Sequence, residues 1–137
     1  MLFRSNGSVR YVGELIGMAS HAGTTPMDRR RDAATAAAEL ALFVETRGGS
    51  VPNLVATVGM LEVPNGSINV VPGRCKFSLD IRATTNEVRD ACATDIRVEL
   101  QHICARRGLH FKLEETMRAA AAPSAPAWST YTNPNLG

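Results

Sequence analysis

Apolar and polar positions recur with two different periods along this chain, and the switches between them outline its elements. Val9 to Ile16 is a short, partly β-branched, strand-like run that Gly17 ends. A helical pattern follows, with Ala33, Ala37, Leu40 and Val44 spaced four, three and four residues apart on one stripe. Its start signals are Thr25 as N-cap, Pro26 in the first helical position and Asp28 three residues after the cap, and Gly48-Gly49 stop it. Leu54 to Val63 is apolar on both parities, which predicts a strand largely covered on both faces. Cys75 to Arg82 alternates cleanly, with Phe77, Leu79 and Ile81 facing one way and Lys76, Ser78, Asp80 and Arg82 the other. Between these strands the turn signals Asn65-Gly66 and Pro72-Gly73 bracket a short apolar piece. A second helix is predicted from about Asn86 to Arg107, with Val88, Cys92, Ile96, Leu100 and Ile103 on one side and Gly108 as its cap. Arg106 and Arg107 suit its negative end. A last strand runs from Leu109 to Glu115.

The order is β-α-β-β-α-β. Two β-α-β halves with both helices on one face predict a ferredoxin-like α+β sandwich with a four-stranded antiparallel sheet. One sheet face then stays bare, and Arg82 projects from it. The expected organisation is a lead-in over 1–8, one domain over 9–116, and a Pro- and Ala-rich linker or truncated return over 117–137.

Composition narrows the function classes. The length of 137 residues and 45% apolar content suit one domain, and 5% aromatics against 19 alanines predict a closely packed, small-residue core. A net charge of +2 lacks the dense basic face of a nucleic-acid binder. The sole ring on the alternating strand, Phe77, belongs on the helix side, so an RNA-binding sheet of this topology has no stacking platform. No run approaches the roughly 20 apolar residues of a membrane span, and the N-terminus has no apolar signal core. Three cysteines without motif spacing (Cys75, Cys92 and Cys104) predict reduced thiols in a cytoplasmic protein.

Candidate chemistry is sparse. His21 lies among small residues between a strand end and the expected helix start, where unpaired N–H groups favour an anion or oxyanion; a plain loop histidine is the alternative. Arg82 offers a planar fork for a carboxylate, or a partner for Asp80. Asn69 sits in the turn-rich loop, where its amide could hold a ligand or cap the turn. No histidine spacing matches a metal motif, and no cysteine has nucleophilic surroundings. The Arg29-Arg30-Arg31 run beside Asp28 and Asp32 reads as a solvated helix face. A free-standing dimerisation or ligand-sensing module fits these residues as well as an enzyme fragment does.

Three ordered blocks shift that balance. Gly17-Met18-Ala19-Ser20-His21-Ala22-Gly23-Thr24-Thr25-Pro26-Met27 with Arg31-Asp32-Ala33 is the first. Ala56-Thr57-Val58-Gly59 followed by Pro64-Asn65-Gly66-Ser67-Ile68-Asn69-Val70-Val71-Pro72-Gly73 is the second, and Leu79-Asp80-Ile81-Arg82 the third. Together they resemble the amidase/hydantoinase/carbamoylase subfamily of dinuclear-metal aminoacylases and carboxypeptidases, which includes N-carbamoyl-L-amino-acid hydrolases, β-ureidopropionases and allantoate amidohydrolases. The resemblance implies a lid and dimerisation domain of a hydrolase acting on C–N bonds, inactive alone. It implies that His21 reaches the partner subunit's active site to stabilise the reacting carbonyl, and that Asn69 and Arg82 hold the substrate carboxylate. It further implies a homodimer formed through the Leu54–Val63 edge and the first helix, and a small carboxylate-bearing ureido substrate. Two divalent ions, zinc or manganese, are implied for the complete enzyme, with none held by this stretch.

Overall fold

Two ten-residue strands, β1 (Gly7–Ile16) and β6 (Arg74–Ala83), lie antiparallel from Gly7 opposite Ala83 to Ile16 opposite Arg74. The structure, a computed structural model, describes residues 7–121 and 128–129. Of the expected lead-in over 1–8, residues 1–6 lie outside the described residues, as does the rest of the C-terminal tail, while Gly7 and Ser8 already belong to β1. The other elements are β2 (Ser20–His21), α1 (Ala33–Gly48), β3 (Leu54–Thr57), β4 (Leu61–Glu62), β5 (Val70–Val71), α2 (Asn86–Arg107), β7 (His110–Ala119) and β8 (Trp128–Ser129). The main sheet runs β3–β6–β1–β7–β8 with β4 also on β6, every pair antiparallel, and β2 pairs β5 separately. The α+β class is therefore as expected. The sheet has six strands rather than four because β4 and β8 add short extensions to the long strands.

Burial follows the alternation. Phe77, Leu79 and Ile81 join Val9, Tyr11 and Leu15 beneath Ala33, Ala37, Leu40 and Val44 of α1 and Cys92, Ile96, Leu100 and Ile103 of α2. Gly13 lies opposite Phe77, and a Cβ there would stand 2.3 Å from the ring's Cζ, so this glycine makes room for the largest fully buried side chain. Arg10, Lys76, Ser78, Asp80 and Arg82 take the opposite parity, on the face the helices leave bare. All three cysteines are free and buried. Among the described residues no helix is long and apolar enough to cross a membrane.

Three expectations need correction. First, α1 begins at Ala33, eight residues after Thr25. Its N-cap is Asp32, whose carboxylate accepts from Ala34 N (2.8 Å) and Thr35 N (3.2 Å). Met27–Arg29 makes only a 3₁₀ turn, and Arg31 is pulled extended by an antiparallel bridge to Met18. The Arg29–Arg31 run thus precedes the helix instead of lying on its face. Second, Leu54–Val63 is not one covered strand. Thr57 pairs with Asp80 and Leu61 with Phe77, so four steps on this side meet three on β6, and the extra residue shifts the phase. Both pieces form an edge, and Val55, Met60 and Leu61 are exposed there. Third, β7 continues to Ala119. Tyr11 pairs with Glu115 and Arg10 with Met117, leaving Thr116 bulged and breaking the alternation where the strand was expected to end.

Candidate functional site

The two-residue strands β2 and β5 bring together positions far apart in sequence. Ser20 pairs with Val71 and His21 with Val70, and Ala22 N donates to Asn69 O at 2.9 Å. His21 and Asn69 therefore sit on neighbouring backbones, both exposed. The His21 loop is tightly tied. Its carbonyl accepts from Thr25 Oγ1 (2.7 Å), Thr25 N (3.1 Å) and Thr24 N (3.3 Å). Gly23 N donates to His21 Nδ1 at 2.9 Å. Because a backbone N–H can donate only to a bare ring nitrogen, the neutral imidazole carries its proton on Nε2. That Nε2–H has no partner among the described residues. Ser67 Oγ donates to Asn69 Oδ1 (2.9 Å), which leaves the two Nδ2 protons of Asn69 for an outside acceptor.

The expected helix N-terminus does not stand beside His21. With α1 starting at Ala33, its first amides are already used, Ala33 N by Pro72 O (2.9 Å) and the next two by Asp32. The donors offered to an outside acceptor here are the Nε2–H of His21 and the Asn69 amide.

Arg82 lies elsewhere. It ends β6 on the bare face, with Nε on Asp80 Oδ1 (2.9 Å) and Nη2 on Asp80 Oδ2 (3.1 Å), while Arg10 Nε also holds Oδ2 (2.9 Å). Burial works to raise the Asp80 carboxyl, but the bonds from Arg82 and Arg10 outweigh it and hold the group below its ordinary value. Asp80 in turn holds the Arg82 guanidinium above its own. Arg82 borders an open groove of about 490 Å³, whose walls include Arg10, Val55 and Met60. Eight steps along β6 separate it from Arg74, which follows β5, a run of about 26 Å at the usual strand rise. One chain therefore brings His21 to Asn69 but not to Arg82.

Among the described residues no three His, Cys, Asp or Glu side chains converge to hold a metal ion. Sequence reasoning missed the role of Arg30, whose Nη2 donates to Ala22 O (2.7 Å) and Nε to Thr25 O (3.1 Å). Its place within a run of three arginines hid it.

The fold and site together are those of an α+β domain with an exposed apolar sheet edge and a small set of outward-facing polar donors. Comparison with known proteins gives the family. The model of the peptidase dimerisation domain matches residues 4–107, and the chain belongs to that family. It is 39% identical over 106 residues to an N-carbamoyl-L-amino acid amidohydrolase of Geobacillus stearothermophilus, covering 77% of this chain and 26% of that protein. It is 32% identical over 118 residues to the allantoate amidohydrolase of Bacillus subtilis, covering 85% and 29%. A solved amidase of the hydantoinase/carbamoylase family from Burkholderia multivorans superposes with a TM-score of 0.79 at 36% identity, covering 82% of this chain and 28% of that one. The chain spans little more than a quarter of the length of these relatives.

Proposed function

We propose that this chain is the dimerisation and substrate-carboxylate-binding lid of a metal-dependent amidohydrolase that cleaves a C–N bond in N-carbamoyl amino acids or allantoate. In this reading residues 9–116 are the lid, and any divalent ions belong to residues outside this chain. The complete enzyme works in the cytoplasm, where the three buried thiols stay reduced. Association uses the β3–β4 edge beside α1, where Leu42, Val55, Met60 and Leu61 are exposed; two edges meeting across a two-fold axis extend the sheet through the dimer.

The observation that carries the reading is the placement of the three polar residues. A ureido acid is shorter than β6, whose far end carries Arg82 and whose near end, at Arg74, leads back into the β5 corner that holds Asn69 and His21. One active site that uses all three must take His21 and Asn69 from one subunit and Arg82 from the other. The Nε2–H of His21 then donates to the oxygen on which negative charge develops as the carbonyl is attacked, while Arg82 and the Asn69 amide grip the carboxylate.

Subunit mixing tests this. His21→Ala in the complete enzyme is expected to lower kcat about 100- to 1000-fold, the usual loss for an oxyanion donor. Arg82→Ala homodimers are expected to be comparably poor. Co-refolded mixtures of the two variants contain heterodimers with one site that has both native residues, so about a quarter of wild-type activity returns. No recovery in verified heterodimers would place His21 and Arg82 in the same subunit's site and overturn the arrangement.

A further inference from the structure

We infer that Arg30 is a positioning residue for His21, acting with the Gly23 amide to hold the imidazole in one orientation and as one tautomer; this rests on the reading of His21 as a hydrogen-bond donor. The loop carrying His21 contains only small side chains from Ala22 to Thr25 and has no core of its own to fix it. Two short strands and one guanidinium do so instead. Arg30, half-buried, reaches back with Nη2 to Ala22 O (2.7 Å) and Nε to Thr25 O (3.1 Å), so one planar group spans the residue after His21 and the residue that closes its turn. Among the described residues neither carbonyl accepts from another donor, and a planar fork joins two of them with less loss of freedom than a single-point cation would.

The strap matters because the turn it holds aims Gly23 N at His21 Nδ1 (2.9 Å). If the turn opens, Nδ1 loses its donor and competes with Nε2 for the proton. The ring then presents an acceptor for part of the time. The same turn leaves no slack beside the ring, since a Cβ on Gly23 would stand 3.0 Å from His21 Cε1 and 3.3 Å from Nδ1. Arg30 touches the substrate in no version of this scheme. Its effect passes entirely through the imidazole.

Long-range ¹H–¹⁵N spectra of this chain read the tautomer directly. In its neutral form His21 is expected to show a pyridine-type Nδ1 and a pyrrole-type Nε2. The exposed His110, with no hydrogen bond to its ring among the described residues, gives the unclamped reference. Arg30→Gln and Gly23→Ala should both move the two His21 shifts toward averaged values, with Arg30→Lys intermediate. An averaged His21 in the wild type, or an unchanged single tautomer in both variants, overturns the inference. Should Arg30→Gln disturb folding, Gly23→Ala decides alone. In the complete enzyme Arg30→Gln should lower kcat about 10- to 100-fold with little change in KM, the scale of a misplaced catalytic group. In a His21→Ala background the same change should cost no more than about twofold, because the group it positions is gone. Equal losses in both backgrounds would overturn the inference. If His21→Ala itself leaves kcat intact, the donor reading of His21 falls, while the spectra still decide whether the strap sets the tautomer.

Discussion

Replacing Arg82 with lysine in the complete enzyme separates a substrate grip from an ordinary surface ion pair. Two of the five guanidinium N–H groups of Arg82 are spent on Asp80, at 2.9 and 3.1 Å, leaving three for a ligand in the groove beside it. Lysine keeps the charge but not the fork. The consequence for folding is small, since the Arg82 side chain is 40% exposed and Asp80 keeps Arg10, so the lid should lose no more than about 1 kcal/mol. The consequence for catalysis is larger. Loss of charge-assisted hydrogen bonds to a carboxylate costs about 1.5–3 kcal/mol in kcat/KM, or roughly 10- to 150-fold. Steady-state rates with an N-carbamoyl amino acid, and with its analogue in which a neutral amide replaces the carboxylate, complete the cycle. Wild type should lose about as much with the amide analogue as Arg82→Lys loses with the acid, and the variant should lose little more with the amide. If the two losses simply add, Arg82 does not touch the carboxylate and serves only as the partner of Asp80.

Other outcomes follow from the same geometry. Val55→Lys puts a charge on the bare β3 edge, so sedimentation should find the wild-type chain self-associating and the variant monomeric with an unchanged circular dichroism spectrum; a dimer that survives the change uses another surface. Asp80 has a folded-state carboxyl held below 3.8, so its contribution to stability is present above that pH and is lost as pH falls through the lower folded value. Urea melts between pH 4 and pH 2 should accordingly show a shallower acid decline for Asp80→Asn than for wild type, and parallel declines would contradict the assignment. Asp32→Ala removes the acceptor of Ala34 N and Thr35 N and should cost about 1 kcal/mol in urea unfolding; a loss of a few tenths would mean that the α1 cap contributes little.

What could be seen in the sequence depended on how local its cause was. The bounds of α2 were legible because a periodic apolar stripe, two terminal arginines and a left-handed Gly108 (φ 72°) all act within the helix. The parity of β6 was legible because one face is buried and the other is not. The start of α1 was not, since Thr25-Pro26 carries genuine capping chemistry that loses to a distant partner. Gly17 and Met18 lie against Arg31 so closely that a Cβ on Gly17 would come within 2.0 Å of the Arg31 carbonyl, and the segment up to Asp32 is held extended. The bulges at Thr116 and after Thr57 each insert one residue and reverse the alternation a pattern search relies on. At the site, the pairing of Asp80 with Arg82 follows from their spacing of two on one strand. The meeting of His21 and Asn69 depends on two-residue strands that leave no period to detect.

The neighbouring positions of Ser8 and Ala119 fix how this domain can be carried by a larger chain. Where β1 begins, β7 ends, and two residues paired across adjacent strands stand about 5 Å apart. Arg89 Nη1 on Ala119 O (2.9 Å) and Asn86 Oδ1 accepting from Ala121 N (2.8 Å) fasten the outgoing strand to α2 at the same point. A chain can therefore leave a host fold, build the whole sandwich and return almost to where it left, so that the host experiences the insertion as a single surface loop with closely spaced ends. For the same reason a short linker could join Ala119 to Gly7 while the backbone is opened instead at the exposed turn around Pro52, giving a permuted domain with the same core.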